Sequence, residues 1–139
     1  RELEKGQPSW DLSSVTGPKG ALFFANDLAY APDLAEKVFK FAPRPGEFAF
    51  KLPAHLTDPA EVFQLDADGT HDVRFSVSKG RLAVHGEVTV AGVYVAAATN
   101  GLRKQLDALH EALTKFERDF AFDPASNQAD YETLLKLAQ

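Results

Sequence analysis

Val73-Arg74-Phe75-Ser76-Val77-Ser78-Lys79-Gly80-Arg81-Leu82-Ala83-Val84 decides the fold class. Val73, Phe75 and Val77 alternate with Arg74, Ser76 and Ser78, the period of two that gives a strand one apolar face and one wet face. Ser78-Lys79-Gly80-Arg81 then reverses the chain into a second apolar run. Working upstream, Glu47-Phe48-Ala49-Phe50-Lys51-Leu52 and Val38-Phe39-Lys40-Phe41 also put aromatics on every second residue. Pro43-Arg44-Pro45-Gly46 lies between them, so the two are expected to pair as a hairpin.

The same signal extends over most of the chain. Ala21-Leu22-Phe23-Phe24-Ala25 is a short apolar run closed by Asn26-Asp27, and Val62-Phe63-Gln64-Leu65 runs into the turn Asp66-Ala67-Asp68-Gly69. Downstream, His85-Gly86-Glu87 leads to Val88-Thr89-Val90, and Ala91-Gly92-Val93-Tyr94-Val95-Ala96 closes the series. Pro8, Gly17, Pro18 and Gly20 make the first twenty residues an extended entry. About seven short strands with turns between them argue for a two-sheet sandwich.

The pattern changes at Thr99-Asn100-Gly101. Leu102, Leu106, Leu109, Leu113, Phe116 and Phe120 recur at gaps of four and three, which stacks them along one side of a helix. Thr99 or Asn100 can cap its start. A shorter helix is expected to carry Tyr131, Leu134, Leu135 and Leu137, begun at Ser126 or Asn127 after the break at Asp123-Pro124. The expected organisation is therefore mainly β: an Ig-like two-sheet β-sandwich over residues 1–98, then a C-terminal helical hairpin over 99–139 packed on it. The 4-3 stripe also fits a coiled-coil seam, but at under three heptads a docked face is the better reading.

Composition narrows the function. With 139 residues, 45% hydrophobic and 25% charged, the chain is that of an ordinary globular domain able to fold without a metal or disulfide. Its net charge of −5, with no run of Lys and Arg, argues against nucleic acid as a partner. The absence of cysteine excludes thiol nucleophiles and thiolate zinc sites. No apolar run approaches the ~18 residues of a membrane span. Without any methionine, Arg1 is not expected to be a native start, and the chain reads as a cut or processed piece.

Candidate chemistry is sparse. His55, His71, His85 and His110 show no i, i+4 metal spacing and read as structural or solvent-exposed. Asp66, Asp68 and Asp72 form D-x-D-G-x-x-D, which has oxygen ligands for calcium but lacks the bidentate Glu of an EF-hand loop; an Asp-Gly turn explains it equally. No acid is embedded in an apolar run as a glycosidase general acid must be, and Ser13-Ser14 has no nucleophile-elbow context. No catalytic residue, metal or cofactor is therefore expected. Trp10 and Tyr30 lie in turn-rich stretches and are the candidates for stacking on a pyranose ring. The competing reading of Trp10, a plug at one end of the core, is favoured because large aromatics are mostly buried.

Over Trp10 to Ala98 the chain resembles the C-terminal β-sandwich domains that follow the catalytic barrel in many bacterial glycoside hydrolases. The resemblance is carried by Ala21-Leu22-Phe23-Phe24-Ala25-Asn26, Glu47 to Ala54, Ala60 to Asp66, Gly80 to Val84 and Val93-Tyr94-Val95. It implies a sandwich that packs against a barrel and stabilises it; a minority of such domains bind glycans. It contains no functional residue to carry over, and the helical tail departs from it. The expectation is a non-catalytic accessory module, secreted or periplasmic, whose partner is the catalytic domain of its parent protein. The alternatives are a carbohydrate-binding module taking polysaccharide through Trp10 and Tyr30, and an interaction or oligomerisation domain using the Leu102 to Phe120 stripe.

Overall fold

A computed structural model describes residues 10–29, 31–120, 132 and 135–137. Among the described residues the chain is mainly β, with several antiparallel sheets and one long helix. In chain order the strands are β1 (Trp10–Gly17), β2 (Gly20–Asp27), β3 (Ala31–Asp33), β4 (Val38–Lys40) and β5 (Arg44–Lys51). They continue with β6 (Glu61–Asp66), β7 (Gly69–His71), β8 (Arg74–Ser78), β9 (Arg81–Val88) and β10 (Ala91–Ala97), and α1 spans Leu102–Asp119. One sheet has the order β1-β2-β10-β6-β7, a second β5-β9-β8, and β3 pairs with β4. Residues 132 and 135–137 are helical. Tyr30, Ser126, Asn127, Tyr131 and Leu134 lie outside the described residues.

The stretch that decides the fold class behaves as its alternation requires. β8 and β9 pair antiparallel from Arg74↔His85 to Ser78↔Arg81. Lys79 and Gly80 between them both have positive φ, 51° and 72°, the geometry of a two-residue hairpin. The hairpin expected between residues 38–41 and 47–52 does not form. β4 pairs with β3, and β5 pairs along its whole length with β9, from Arg44↔Val88 to Lys51↔Arg81. The reason is burial: Phe48 and Phe50 are inside while Phe39 is 64% exposed, so only the later run has an apolar face to place against the core. Pro45 is accommodated because β5 is a sheet edge, where a missing N–H breaks no ladder.

The five-stranded and three-stranded sheets share one hydrophobic core, a sandwich-like arrangement. Its centre is aromatic. Phe23 of β2 meets Phe50 of β5 at 4.9 Å between ring centroids, and Tyr94 of β10 lies 6.2 Å from Phe48 and 6.1 Å from Phe50. Leu82 and Val84 of β9, Leu52 and Leu56 fill the space around the rings. Two glycines permit this packing. A Cβ on Gly46 would fall 2.2 Å from the Phe48 ring, and one on Gly92 would fall 2.7 Å from the Tyr94 hydroxyl, so each ring folds back over a glycine two residues upstream.

The five-stranded sheet also has a second apolar face. Val95 is paired with Phe63 on one side and Leu22 on the other, and all three point away from the face that carries Tyr94 and Phe23. Phe63 and Val95 are buried without belonging to the main core. Contacts divide the chain into two compact units, the first ending at Asp107 and the second beginning at Ala108. Within the first unit, the opening turn of α1 covers part of this outer face: the Arg103 guanidinium sits 5.9 Å from the Phe63 ring.

Phe48→Ala is expected to destabilise the chain by about 3–5 kcal/mol, because it empties the centre of the ring cluster, whereas Leu34→Ala, at a side chain 87% exposed, stays within about 0.5 kcal/mol. Urea unfolding of the two variants beside the parent chain checks both values.

Candidate functional site

Three places gather polar or apolar groups in a way that bears on function. The first surrounds Trp10. The indole is 5% exposed and meets Phe48 edge-on at 4.8 Å between centroids. The Arg44 guanidinium lies 4.3 Å above the ring, a cation–π contact, and its Nη2 is 2.9 Å from Oδ1 of the buried Asp27. That oxygen also accepts the backbone N–H of Ala29 at 2.8 Å. Asp27 stands opposite Trp10 in the β1–β2 ladder, which is why the three groups converge.

Trp10 therefore plugs one end of the core, with a cation over one face, and has no open ring face for stacking on a sugar. Tyr30, its companion candidate, lies outside the described residues. The Asp27–Arg44 pair gains little net stability from its own attraction, since both ions give up hydration. Losing one member is another matter, because a buried charge is left uncompensated, at about 3–5 kcal/mol in such pairs. Oδ2 of Asp27 is buried with no hydrogen-bond partner among the described residues.

The backbone beside this cluster is strained. Val90 has φ of +70°, rare for a β-branched residue, and Ala91 N–H donates to Thr89 C=O at 2.9 Å across it. This tight three-residue turn delivers the Val90 carbonyl to the Asp27 N–H at 2.8 Å. Residues 88–90, expected as a strand, instead end β9 at Val88 and turn the chain into β10.

The second place is the start of α1. Glu61 of β6 caps it, accepting the N–H of Gly101 at 2.9 Å and of Arg103 at 3.1 Å. Neither Thr99 nor Asn100 supplies this cap; a carboxylate about forty residues upstream does, and only the β6–β10 pairing brings it there. Arg103 then donates from Nε to the Thr70 hydroxyl at 3.0 Å and forms an ion pair with Asp72 at 2.5 Å, while Thr70 donates to Asp107. These donors hold the Glu61 and Asp72 carboxyls below the usual carboxylate range: the Gly101 and Arg103 amides act on Glu61, and the Arg103 guanidinium acts on Asp72.

The D-x-D-G-x-x-D acids are thus engaged separately. Asp66 accepts from Asp68 N–H and from His71 Nε2, both at 2.8 Å, and Asp72 faces Arg103. Among the described residues no group of three or more His, Asp or Glu side chains is arranged to hold a metal ion. His55 Nε2 bonds the Gly17 carbonyl at 2.8 Å, and His85 lies 3.8 Å from Glu47.

The third place is the stripe on α1. Leu102 and Leu106 are half-buried, whereas Leu109, Leu113, Phe116 and Phe120 are 55%, 53%, 60% and 72% exposed. Phe116 and Phe120 stack at 4.8 Å between centroids, and Phe120 N–H bonds the Phe116 carbonyl at 2.9 Å. The helical spacing read from sequence holds, and the apolar side chains of its last three turns are exposed. No helix among the described residues is long and apolar enough to cross a membrane.

No family model, curated protein or solved structure matches the chain.

Glu61 links stability to pH. Its folded pKa lies below its ordinary value of 4.5, so its contribution is complete above that value and is lost as pH falls through the folded pKa. Glu61→Gln is expected to flatten the acid-induced loosening of the helix start below pH 4.5, read as hydrogen exchange at the Gly101 and Arg103 amides.

Proposed function

We propose that this chain is a non-catalytic accessory module of a larger carbohydrate-active protein, and that its α1 stripe is where it contacts the catalytic domain of that protein. The observation that carries the reading is the row Leu109, Leu113, Phe116 and Phe120, open on a chain whose sheets already share a filled core. An apolar row of this size on a helix is a contact surface by its chemistry. The carbohydrate context comes from the strand pattern over residues 10–98, which resembles the sandwiches that follow glycoside hydrolase barrels and belongs with an Ig-like assignment and a secreted or periplasmic setting. The helical hairpin expected over 99–139 fits the same picture as the part that adapts the module to its neighbour.

The carbohydrate-binding alternative loses Trp10, whose ring is enclosed by Phe48 and Arg44. What remains of it rests on Tyr30 alone.

Leu113→Glu/Phe116→Glu in the full-length parent protein tests the reading. Thermal unfolding of the catalytic domain is expected to fall by about 2–4 °C for each kcal/mol of docking lost, with the Michaelis constant unchanged. Affinity electrophoresis of the chain against soluble plant, algal and microbial polysaccharides is expected to show no retardation. An unchanged catalytic domain together with retardation in one gel, removed by Tyr30→Ala, contradicts the proposal in favour of a binding module.

A further inference from the structure

The chain is acidic, with a net charge of −5, yet one hollow on its surface takes all its charged lining from cations. It has a volume of about 370 Å³ and opens where β5 ends and β9 begins. Lys51 at the end of β5, Lys79 in the β8–β9 turn and Arg81 at the start of β9 line it, together with Leu52, Thr57 and Gly80. No Asp or Glu is among its lining residues. A hollow of this size is in the range of small-molecule sites.

Its walls are held by the fold. Leu52 N–H donates to the Gly80 carbonyl at 2.8 Å, which ties the residue after β5 to the β8–β9 turn. Leu52 and Leu56 are buried in the main core, so the segment between them is anchored at both ends. His55 Nε2 donates to the Gly17 carbonyl at 2.8 Å and fixes the same segment to the turn between β1 and β2.

The cations stand there against local preference. Lys51 is directly opposite Arg81 in the β5–β9 ladder, and like charges so placed repel. Lys79 has φ of 51°, a conformation for which a two-residue turn favours Asn, Asp or Gly. Asp at that position would relieve both the strain and the repulsion, and the chain has Lys. Arg81 has an interaction of its own within the chain, whereas the side chains of Lys51 and Lys79 form no ion pair or hydrogen bond among the described residues. We propose that this hollow binds a phosphate dianion, held between the ammonium groups of Lys51 and Lys79. Two negative charges on one small group offset the repulsion between neighbouring cations, and bonds from ammonium to phosphate oxygen are of the strong, charge-assisted kind.

The stripe on α1 plays no part in this, so the proposal stands apart from the accessory-module reading. Amide NMR spectra of the chain test it, titrated with inorganic phosphate, glucose 6-phosphate and glucose at constant ionic strength and about pH 7.5, where phosphate is mostly doubly charged. Shifts at Lys51, Lys79 and Gly80 are expected to saturate with both phosphates and not with glucose. Tighter binding of the ester identifies a phosphorylated small molecule as the occupant, and equal or weaker binding identifies the free ion. Lys51→Gln/Lys79→Asn is expected to weaken binding roughly tenfold or more, and to raise the midpoint of thermal unfolding in phosphate-free buffer by relieving the turn and the like-charge pair. Lys51→Gln alone, at an exposed side chain, repeats the test with the turn left intact. Lys104→Gln/Lys115→Gln makes the same change of net charge on α1 and is expected to leave the affinity unchanged. Shifts that stay linear, or that fall equally in both double variants, mean an adventitious ion only and overturn the proposal. So does saturable binding that survives Lys51→Gln/Lys79→Asn.

Discussion

The packing of four rings between two sheets is the constraint on which the rest depends. Phe23 and Tyr94 come from the five-stranded sheet, Phe48 and Phe50 from the three-stranded one, and none is more than 5% exposed. Each ring contributes roughly 2–3 kcal/mol by leaving water, with a smaller gain from ring–ring geometry. These contacts join residues far apart in sequence, so they close the β core as a unit. They also dictate local chemistry: Gly46 and Gly92 must stay small because Phe48 and Tyr94 lie over them. Burial pushes the Tyr94 hydroxyl up to about 12, so it stays neutral inside the core.

The ring core sets the position of every polar feature. Trp10 extends the cluster to the end of the sandwich, where Arg44 and Asp27 close it, and the strained turn at Val90 supplies a carbonyl to Asp27. At the outer face, pairing of β6 with β10 puts Glu61 where the amides of residues 101 and 103 need an acceptor. The helix start is held by that carboxylate and by Arg103, through side chains of β6, β7 and the residue after them. The exposed part of the stripe begins only where those contacts stop.

How much of this was legible in sequence depended on the range of the interaction responsible. The alternation over 73–78 and the run 82–84 gave their strands and their turn directly, because period two and a Lys-Gly reversal are local signals. The run 47–52 reads as a strand and forms one, yet its partner is not the run nearest to it in sequence. Nearness in sequence favoured residues 38–41, while the choice of β9 rests on burial that the local pattern of Phe39 and Phe41 does not reveal. β1 does not announce itself as a strand, because Pro8, Gly17 and Pro18 read as loop, though Gly17 and Gly20 bracket its turn. The Trp10–Asp27–Arg44 cluster joins three distant positions, and the Glu61 cap joins two, so neither had a signature to find. The helix stripe was fully legible in its spacing and not in its exposure.

Native-state hydrogen exchange over the whole chain is the most direct test of the claim that the rings hold one β core. Amides of β2, β5, β9 and β10 are expected to exchange slowest and with one shared free energy, that of global unfolding, while α1 amides beyond Leu109 exchange faster by local opening. Exchange of β5 and β9 at a distinctly lower free energy than β2 and β10 would contradict it, showing that the two sheets open separately and that the rings do not bind them into one unit.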